Sequence, residues 1–284
     1  MSQRDRAKLV ADVELEHELK RAGLDQPAGW GTCLREPAAA PGRGATSLRE
    51  LAGGRVLRLK RLRRGGWMAP LWRDHFIGEG RALDNLRVSA EAGRRGVATP
   101  PVVALLVVKS VAGLVRAWLA IEELADAVDL GSCFRSDQPP TQAELEAALG
   151  LVRRMHDLGL EHRDLNLGNL MIRRSPTLRA PTVGYVSGSV FASEPDLVPE
   201  AFVIDLDRAR LHVGPLGFHP RQRALRRLER SYVKSCGAGS ASEDVRSSFY
   251  TLYAAADREL AARLGKGRHA GRVRISLHRL GWRR

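Results

Sequence analysis

Read for its apolar and polar positions, the chain divides into short elements of changing period. The opening segment, MSQRDRAKLVADVELEHELKR, sets Leu9, Val13 and Leu19 roughly on one stripe with charges elsewhere. That pattern predicts a helix over residues 1–24, ended by Gly23. Residues 25–44 are Pro-, Gly- and Ala-rich and irregular, with a short strand expected at Trp30–Arg35. Two strands are expected next, Ala45–Leu51 and Arg55–Leu62, joined by a tight turn at Ala52–Gly54. A helix is predicted over Gly80–Arg95 and stopped by Gly96. Beyond Thr99-Pro100-Pro101, the runs Val102–Val108 and Gly113–Ile121 read as a hairpin closed across Lys109–Ala112.

The second half begins with a stronger helix signal. Thr141-x-x-Glu144 is a capping box, and Leu145, Leu149, Val152 and Met155 keep one apolar face until Gly159. A polar loop follows, then a short strand at Leu170–Arg173. Residues 174–200 are Pro-, Gly- and Ser-rich and read as an insertion or a long hairpin. AFVIDLDRARL, Ala201 to Leu211, reads as a buried strand that delivers Asp205 and Asp207 at its end. Helical patterns recur near Pro220–Lys234 and Ser242–Leu264, and no internal repeat is present.

Composition narrows the class. A chain of 284 residues with 44% apolar content suits one two-lobed domain or two modest ones and has enough material for a core. Its three cysteines, Cys33, Cys133 and Cys236, form no C-x-x-C pair, so neither a disulfide framework nor a zinc site is expected. The N-terminus alternates charge too often for a signal peptide, and no apolar window approaches the ~18 residues of a membrane span. A cytoplasmic protein is the expectation. The net charge of +14 then calls for an anionic partner, whether nucleic acid, membrane surface or acidic substrate. Six basic residues lie between Arg55 and Arg64, and eight between Arg263 and Arg284 with no acidic residue among them. An aromatic content of 5% gives little for base stacking, so nucleic acid is not the expected partner. The basic tail reads either as a membrane-surface helix or as a solvated end.

The residues that carry chemistry centre on GLEHRDLNLGNLMIRR, where His162 to Asn169 reads H-R-D-L-x-x-x-N. Phosphoryl transfer needs phosphates held, their charge neutralised and an acceptor hydroxyl aimed in line. Asp164 is placed to take the hydroxyl proton, and Asn169 to ligate Mg²⁺ from the far side of the same loop. Asp205, after the apolar run Phe202-Val203-Ile204, offers a second hard oxygen for that cation. Asp207 is either a further metal ligand or a turn residue. Lys60, on a strand, reaches for nucleotide phosphates in competition with Arg58 and Arg61. Gly42-Arg43-Gly44 allows backbone N–H groups to approach phosphate.

This order of motifs resembles the protein-kinase-like fold, an α+β architecture with a small, mostly antiparallel N-lobe and a mostly helical C-lobe. More narrowly it resembles the lipopolysaccharide-core sugar kinases, and among them the 3-deoxy-manno-octulosonate (Kdo) kinase branch. GRGAT (Gly42–Thr46), LKRLRRGGWMA (Leu59–Ala69), DLNLGNLMI, FVIDLDRARL and LRRLERSYVK (Leu225–Lys234) carry that likeness. The resemblance implies ATP and Mg²⁺ as cofactors, His162, Asp164 and Asn169 as the catalytic loop, and Glu122–Leu124 as a hinge toward adenine. It implies a Kdo-bearing lipid A precursor as acceptor, at the inner face of the cytoplasmic membrane. It further implies a helical extension over 1–24, an N-lobe over 25–124, and a C-lobe over 125–284 holding the 174–200 insertion and the basic tail. Heptose kinases of the same superfamily, other small-molecule kinases, and a kinase-like pseudoenzyme binding membrane or nucleic acid are the competing readings.

Three departures stand out. The family's helix glutamate falls at Asn85, with Asp84 and Glu79 as substitutes for pairing Lys60. Arg58 replaces a usually small residue beside adenine. Asn169 and Asp205 are 36 positions apart, and no A-P-E follows, which argues for a small-molecule or lipid kinase rather than a protein kinase.

Overall fold

The computed structural model describes residues 7–32, 46–63, 74–110, 113–178, 183–186, 189–192, 197–237, 240–255 and 257–266. The chain forms two compact units, Met1–Leu124 and Ala125–Arg284.

The first unit is built on one antiparallel sheet. Its strands run in the spatial order β1 (Ala7–Ala11), β5 (Val102–Lys109), β6 (Leu114–Glu122), β3 (Val56–Arg61) and β2 (Thr46–Glu50), with β4 (Phe76–Ile77) also on β6. Strand register sorts side chains to two faces. On one face Leu57, Leu59, Leu106, Val108, Trp118 and Ala120 pack against Leu15 and Leu19 of α1 (Val13–Arg21), Leu24, and Trp30 of α2 (Pro27–Thr32). On the other, Leu105, Val107, Val115, Ala117 and Leu119 pack with Ala82 of α3 (Gly80–Arg94).

Two expectations are corrected here. Residues 1–24 are not one helix: Ala7–Ala11 pairs with β5 from Ala7↔Val108 to Ala11↔Ala104. Asp12 then starts α1 afresh, its extended backbone and side chain capping the Glu14 N–H at 3.3 Å. Trp30 lies in a helix, not a strand. Pro27 opens that helix, where its missing N–H costs nothing, and the buried Trp30 indole donates to the Leu24 carbonyl at 2.7 Å.

The second unit carries a three-stranded sheet in the order β12 (Leu197–Val203), β9 (Leu170–Leu178), β7 (Ala127–Asp129). A short pair, β8 (Leu160–Glu161) with β13 (Arg210–Leu211), lies outside it, and so does the hairpin of β10 (Val183–Val186) and β11 (Ser189–Ala192). Helices α4 (Leu130–Cys133), α5 (Gln142–Asp157), α6 (Phe218–Cys236) and α7 (Glu243–Ala254) complete the unit. Both halves of the capping box form: Glu144 N–H to Thr141 Oγ1 at 3.2 Å, and Thr141 N–H to Glu144 Oε2 at 2.8 Å. The expected face of α5 is buried. Gly159 adopts φ +79°, the left-handed conformation that closes the helix.

The strand after the loop is longer than Leu170–Arg173, because β12 pairs with it out to Leu197↔Leu178. The strand expected over Ala201–Leu211 stops at Val203. Asp205 at φ 62°, ψ 59° cannot continue a ladder, and a 3₁₀ turn, Leu206–Arg208, follows. Helix α7 likewise ends at Ala254, where Ala255 turns to positive φ, and helical residues resume over 258–266.

A buried polar network ties the helices of this unit together. Arg221 donates to the Leu216 carbonyl at 2.6 Å and to the Tyr253 hydroxyl at 3.1 Å, and pairs with Asp157 at 2.6 Å. The Tyr253 oxygen accepts from Arg221, so its proton goes to His156 Nδ1, 2.9 Å away. Burial, with Arg221 nearby, pushes His156 down to about 3, and burial raises the phenol to about 12. Among the described residues, no helix is long and apolar enough to cross a membrane.

Candidate active site

The β9–β12 ladder assembles the site of the second unit. Leu170 and Val203 are register partners, and the Ile204 N–H donates to the Asn169 carbonyl at 3.0 Å. Asn169 and Asp205 are therefore held at the same end of this strand pair, although 36 positions separate them. From Leu170↔Val203 to Arg173↔Glu200 the two strands keep one register beside the site, and the register shifts only farther out, between Val198 and Glu200.

The loop is pinned from several directions. The Asp164 carbonyl accepts from Asn166 Nδ2 at 2.8 Å and Asn169 Nδ2 at 3.1 Å. Since the Asn169 amide nitrogen points to that carbonyl, its oxygen is turned away and open to a cation. Asn166 Oδ1 accepts from the Gly168 N–H at 2.8 Å, and Ser231 Oγ of α6 accepts from the Leu167 N–H at 3.1 Å. Beneath the loop, the buried Asp129 carboxylate caps α4 through the Ser132 N–H and hydroxyl, at 2.9 and 2.7 Å. A Cβ on Gly168 would come within 3.1 Å of Asn166 Oδ1, so a larger residue there would press on the side chain that accepts from the Gly168 N–H.

His162 is 2% exposed, and its Nε2 lies 3.0 Å from the Ile204 carbonyl. A carbonyl only accepts, so Nε2 carries the proton. Burial keeps the imidazole below its ordinary range and thus neutral. The pattern-based grouping of His162 with catalytic residues is corrected accordingly. Its side chain touches the protein on all sides and ties the loop to the segment carrying Asp205.

The Asp164 side chain is 58% exposed and faces Arg208 Nη1 at 3.5 Å. Asp205 is exposed, in a left-handed conformation that Asp tolerates better than most residues. Asp207 is half-buried on the 3₁₀ turn. Among the described residues, no group of three or more His, Cys, Asp or Glu gathers as a metal cage. Two hard oxygens, from Asn169 and Asp205, suit a cation that draws the rest of its shell from phosphates and water, as Mg²⁺ does.

In the first unit, Lys60 lies on β3 opposite Leu119, on the sheet face that packs α3. Arg58 shares that face but is held by Glu123, through Nε to Oε2 at 2.6 Å and through a second contact from Nη2 to Oε1. Arg61 pairs with Asp74 at 3.2 Å and lies over the Trp118 ring at 5.3 Å. Arg58 and Arg61 are thus both paired with carboxylates. Asn85 is buried on α3 and donates to the Arg81 carbonyl at 3.1 Å. Among the described residues, Glu79 pairs with Lys8 at 3.2 Å and Lys109 at 4.0 Å, and Asp84 pairs with Arg87 at 3.6 Å.

The segment expected as a hinge has these contacts. The Glu122 carboxylate pairs with Arg55 at 3.1 Å, and its N–H is taken by the Pro101 carbonyl at 3.0 Å. Glu123 N–H is taken by Val56, while Leu124 N–H makes no hydrogen bond among the described residues. Gly42, Gly44 and the tail beyond residue 266 lie outside the described residues. Sequence reasoning missed Arg208, Ser231, Asn166 and Asp129. Asn166, Arg208 and Ser231 lie inside DLNLGNLMI, FVIDLDRARL and LRRLERSYVK, whereas Asp129 lies in none of these stretches.

The fold and the loop that joins Asp164, Asn169 and Asp205 define a kinase-like protein. The chain belongs to the lipopolysaccharide kinase (Kdo/WaaP) family, whose model matches residues 40–253, and it is a kinase. It is 30% identical over 222 residues to the 3-deoxy-D-manno-octulosonic acid kinase of Xylella fastidiosa strain M12, covering 77% of each chain. The enzyme of that name from Xanthomonas euvesicatoria is 28% identical over 238 residues, covering 82% of this chain and 83% of its own. Among solved structures, WaaP in complex with acyl carrier protein has the same fold, with a TM-score of 0.51. It shares 20% sequence identity, with 92% of this chain and 97% of that one covered.

Proposed function

We propose that the protein transfers the γ-phosphate of ATP to a hydroxyl of a Kdo sugar on a lipopolysaccharide inner-core or lipid A precursor. The observation that carries this reading is the convergence of Asp164, Asn169 and Asp205 through the loop hydrogen bonds and the β9–β12 register. Asp164 accepts the proton of the acceptor hydroxyl and aims its oxygen in line, a contribution worth roughly 10²–10⁴ in rate. Mg²⁺, when bound, neutralises charge on the phosphates. Asn169 Oδ1 and the Asp205 carboxylate hold it. Lys60 positions the α- and β-phosphates from its place on β3, where it is the register partner of Leu119. Leu124 N–H serves the adenine edge.

The acceptor is the finer part of the reading. Relatives named as Kdo kinases support it, and so does a net charge of +14, which suits an acidic glycolipid on an anionic membrane surface. Each basic residue near such a surface contributes about 1 kcal/mol of attraction, enough for peripheral binding at the inner leaflet. Acceptor preference is tested by comparing kcat/KM on Kdo-terminated and heptose-terminated lipid A precursors. A preference for Kdo of at least tenfold is expected. A preference for heptose moves the protein to the sister activity of the family.

A further inference from the structure

We infer that Arg208 recognises the acidic group of the acceptor and, without acceptor, holds the Asp164 carboxylate in place. The inference rests on the sugar-kinase reading above and names a specificity residue for it.

The argument starts from charge. Arg208 ends the 3₁₀ turn that begins one residue after Asp205, so the segment that offers a metal ligand also sets a guanidinium beside the loop aspartate. Nη1 of Arg208 lies 3.5 Å from Asp164 Oδ2, with the side chains 63% and 58% exposed. Exposed pairs at this distance hold weakly and exchange readily for an incoming anion. Asp164 is the only partner of Arg208 among the described residues.

The surroundings add unspent positive charge. Arg163 precedes Asp164, and Arg210 is the register partner of Glu161, three positions before it. Both are exposed, and their side chains make no ion pair or hydrogen bond among the described residues. Two further basic side chains turn to Glu161, with His212 Nε2 at 3.1 Å and Arg223 at 3.8 Å. The loop and the turn thus carry three exposed guanidinium groups, Arg163, Arg208 and Arg210, beside the exposed Asp164 and Asp205, and of the three only Arg208 is paired among the described residues. A neutral sugar hydroxyl gains nothing from those guanidinium groups. A sugar acid does: its carboxylate draws the guanidinium fork into a two-point contact and its hydroxyl takes over Asp164.

Arg208 could instead meet the transferred phosphate, and the test separates the two. Arg208→Ala and Arg208→Lys are assayed with ATP and two acceptors, the natural Kdo glycolipid and its carboxyl-reduced form. Folding is checked by thermal denaturation, which should not change for a side chain this exposed. With the acidic acceptor, Arg208→Ala should raise acceptor KM about 10–100-fold with ATP KM unchanged, and Arg208→Lys should recover part of the loss. With the reduced acceptor, wild type and Arg208→Ala should converge. A rise in ATP KM, or an equal loss on both acceptors, overturns acceptor recognition. If wild type phosphorylates neither acceptor, the sugar-kinase reading has failed, and the Arg208 inference falls with it.

Discussion

The imidazole of His162 and the carbonyl of Ile204 lie 3.0 Å apart, both drawn into the base of the site. One bond joins the start of the catalytic loop to the residue before Asp205. Removing it with His162→Ala leaves a buried carbonyl without its donor, at a cost of about 1–3 kcal/mol. The loop also loses its alignment with Asp205. Urea denaturation should show the stability loss, and kcat should fall at least tenfold with ATP affinity nearly retained. Loss of stability with kcat unchanged would remove the positioning role.

Asp164 and Asp205 should fail in different ways. Asp205→Ala removes a hard oxygen from the cation, so both turnover and the Mg²⁺-dependence of nucleotide binding should disappear. Asp164→Ala should cut kcat by roughly 10²–10⁴ and leave nucleotide affinity intact. Calorimetric titration of ATP with and without Mg²⁺ separates them. Normal rates in both variants would mean that the site lies elsewhere.

On β3, the neighbours Arg58 and Lys60 should also part company. Lys60→Ala should weaken nucleotide binding and turnover about tenfold or more, through loss of a phosphate contact. Arg58→Ala frees Glu123 and should alter stability while sparing turnover. The reverse order would move the phosphate contact to Arg58.

Acid should loosen the second unit through His156. In the fold this imidazole refuses a proton until about pH 3, whereas the unfolded chain takes one near 6.5. Between those values the unfolded state binds more protons. Stability is therefore complete above about 6.5 and declines as pH falls toward 3. Denaturation midpoints at pH 7.5 and 5 should differ, and His156→Gln should flatten that difference. A wild-type midpoint that holds steady over this range would contradict the assignment.

Local signals made much of the fold legible. The capping box at Thr141, the stop at Gly159 and the Val102–Glu122 hairpin depend on neighbours in sequence, and the structure has all three. Residues 7–11 were misread because AKLVA becomes a strand only by pairing with β5, about a hundred positions away. The early end of β12 was hidden for another reason. Asp205 adopts its left-handed backbone inside an apolar run whose pattern still reads as strand. H-R-D-x-x-x-x-N marked the loop residues and FVIDLDRARL contained Arg208, but the contact of Arg208 with Asp164 and the capping by Asp129 depend on the folded chain and are not spelled by either motif.

The most direct test of the account is mass spectrometry of a Kdo-bearing lipid A precursor incubated with ATP, Mg²⁺ and purified protein. The account predicts the gain of one phosphate by the glycolipid, and its loss with Asp164→Ala. An unmodified glycolipid in the presence of protein that binds ATP would contradict the proposed acceptor. Undiminished transfer by Asp164→Ala would contradict the proposed base.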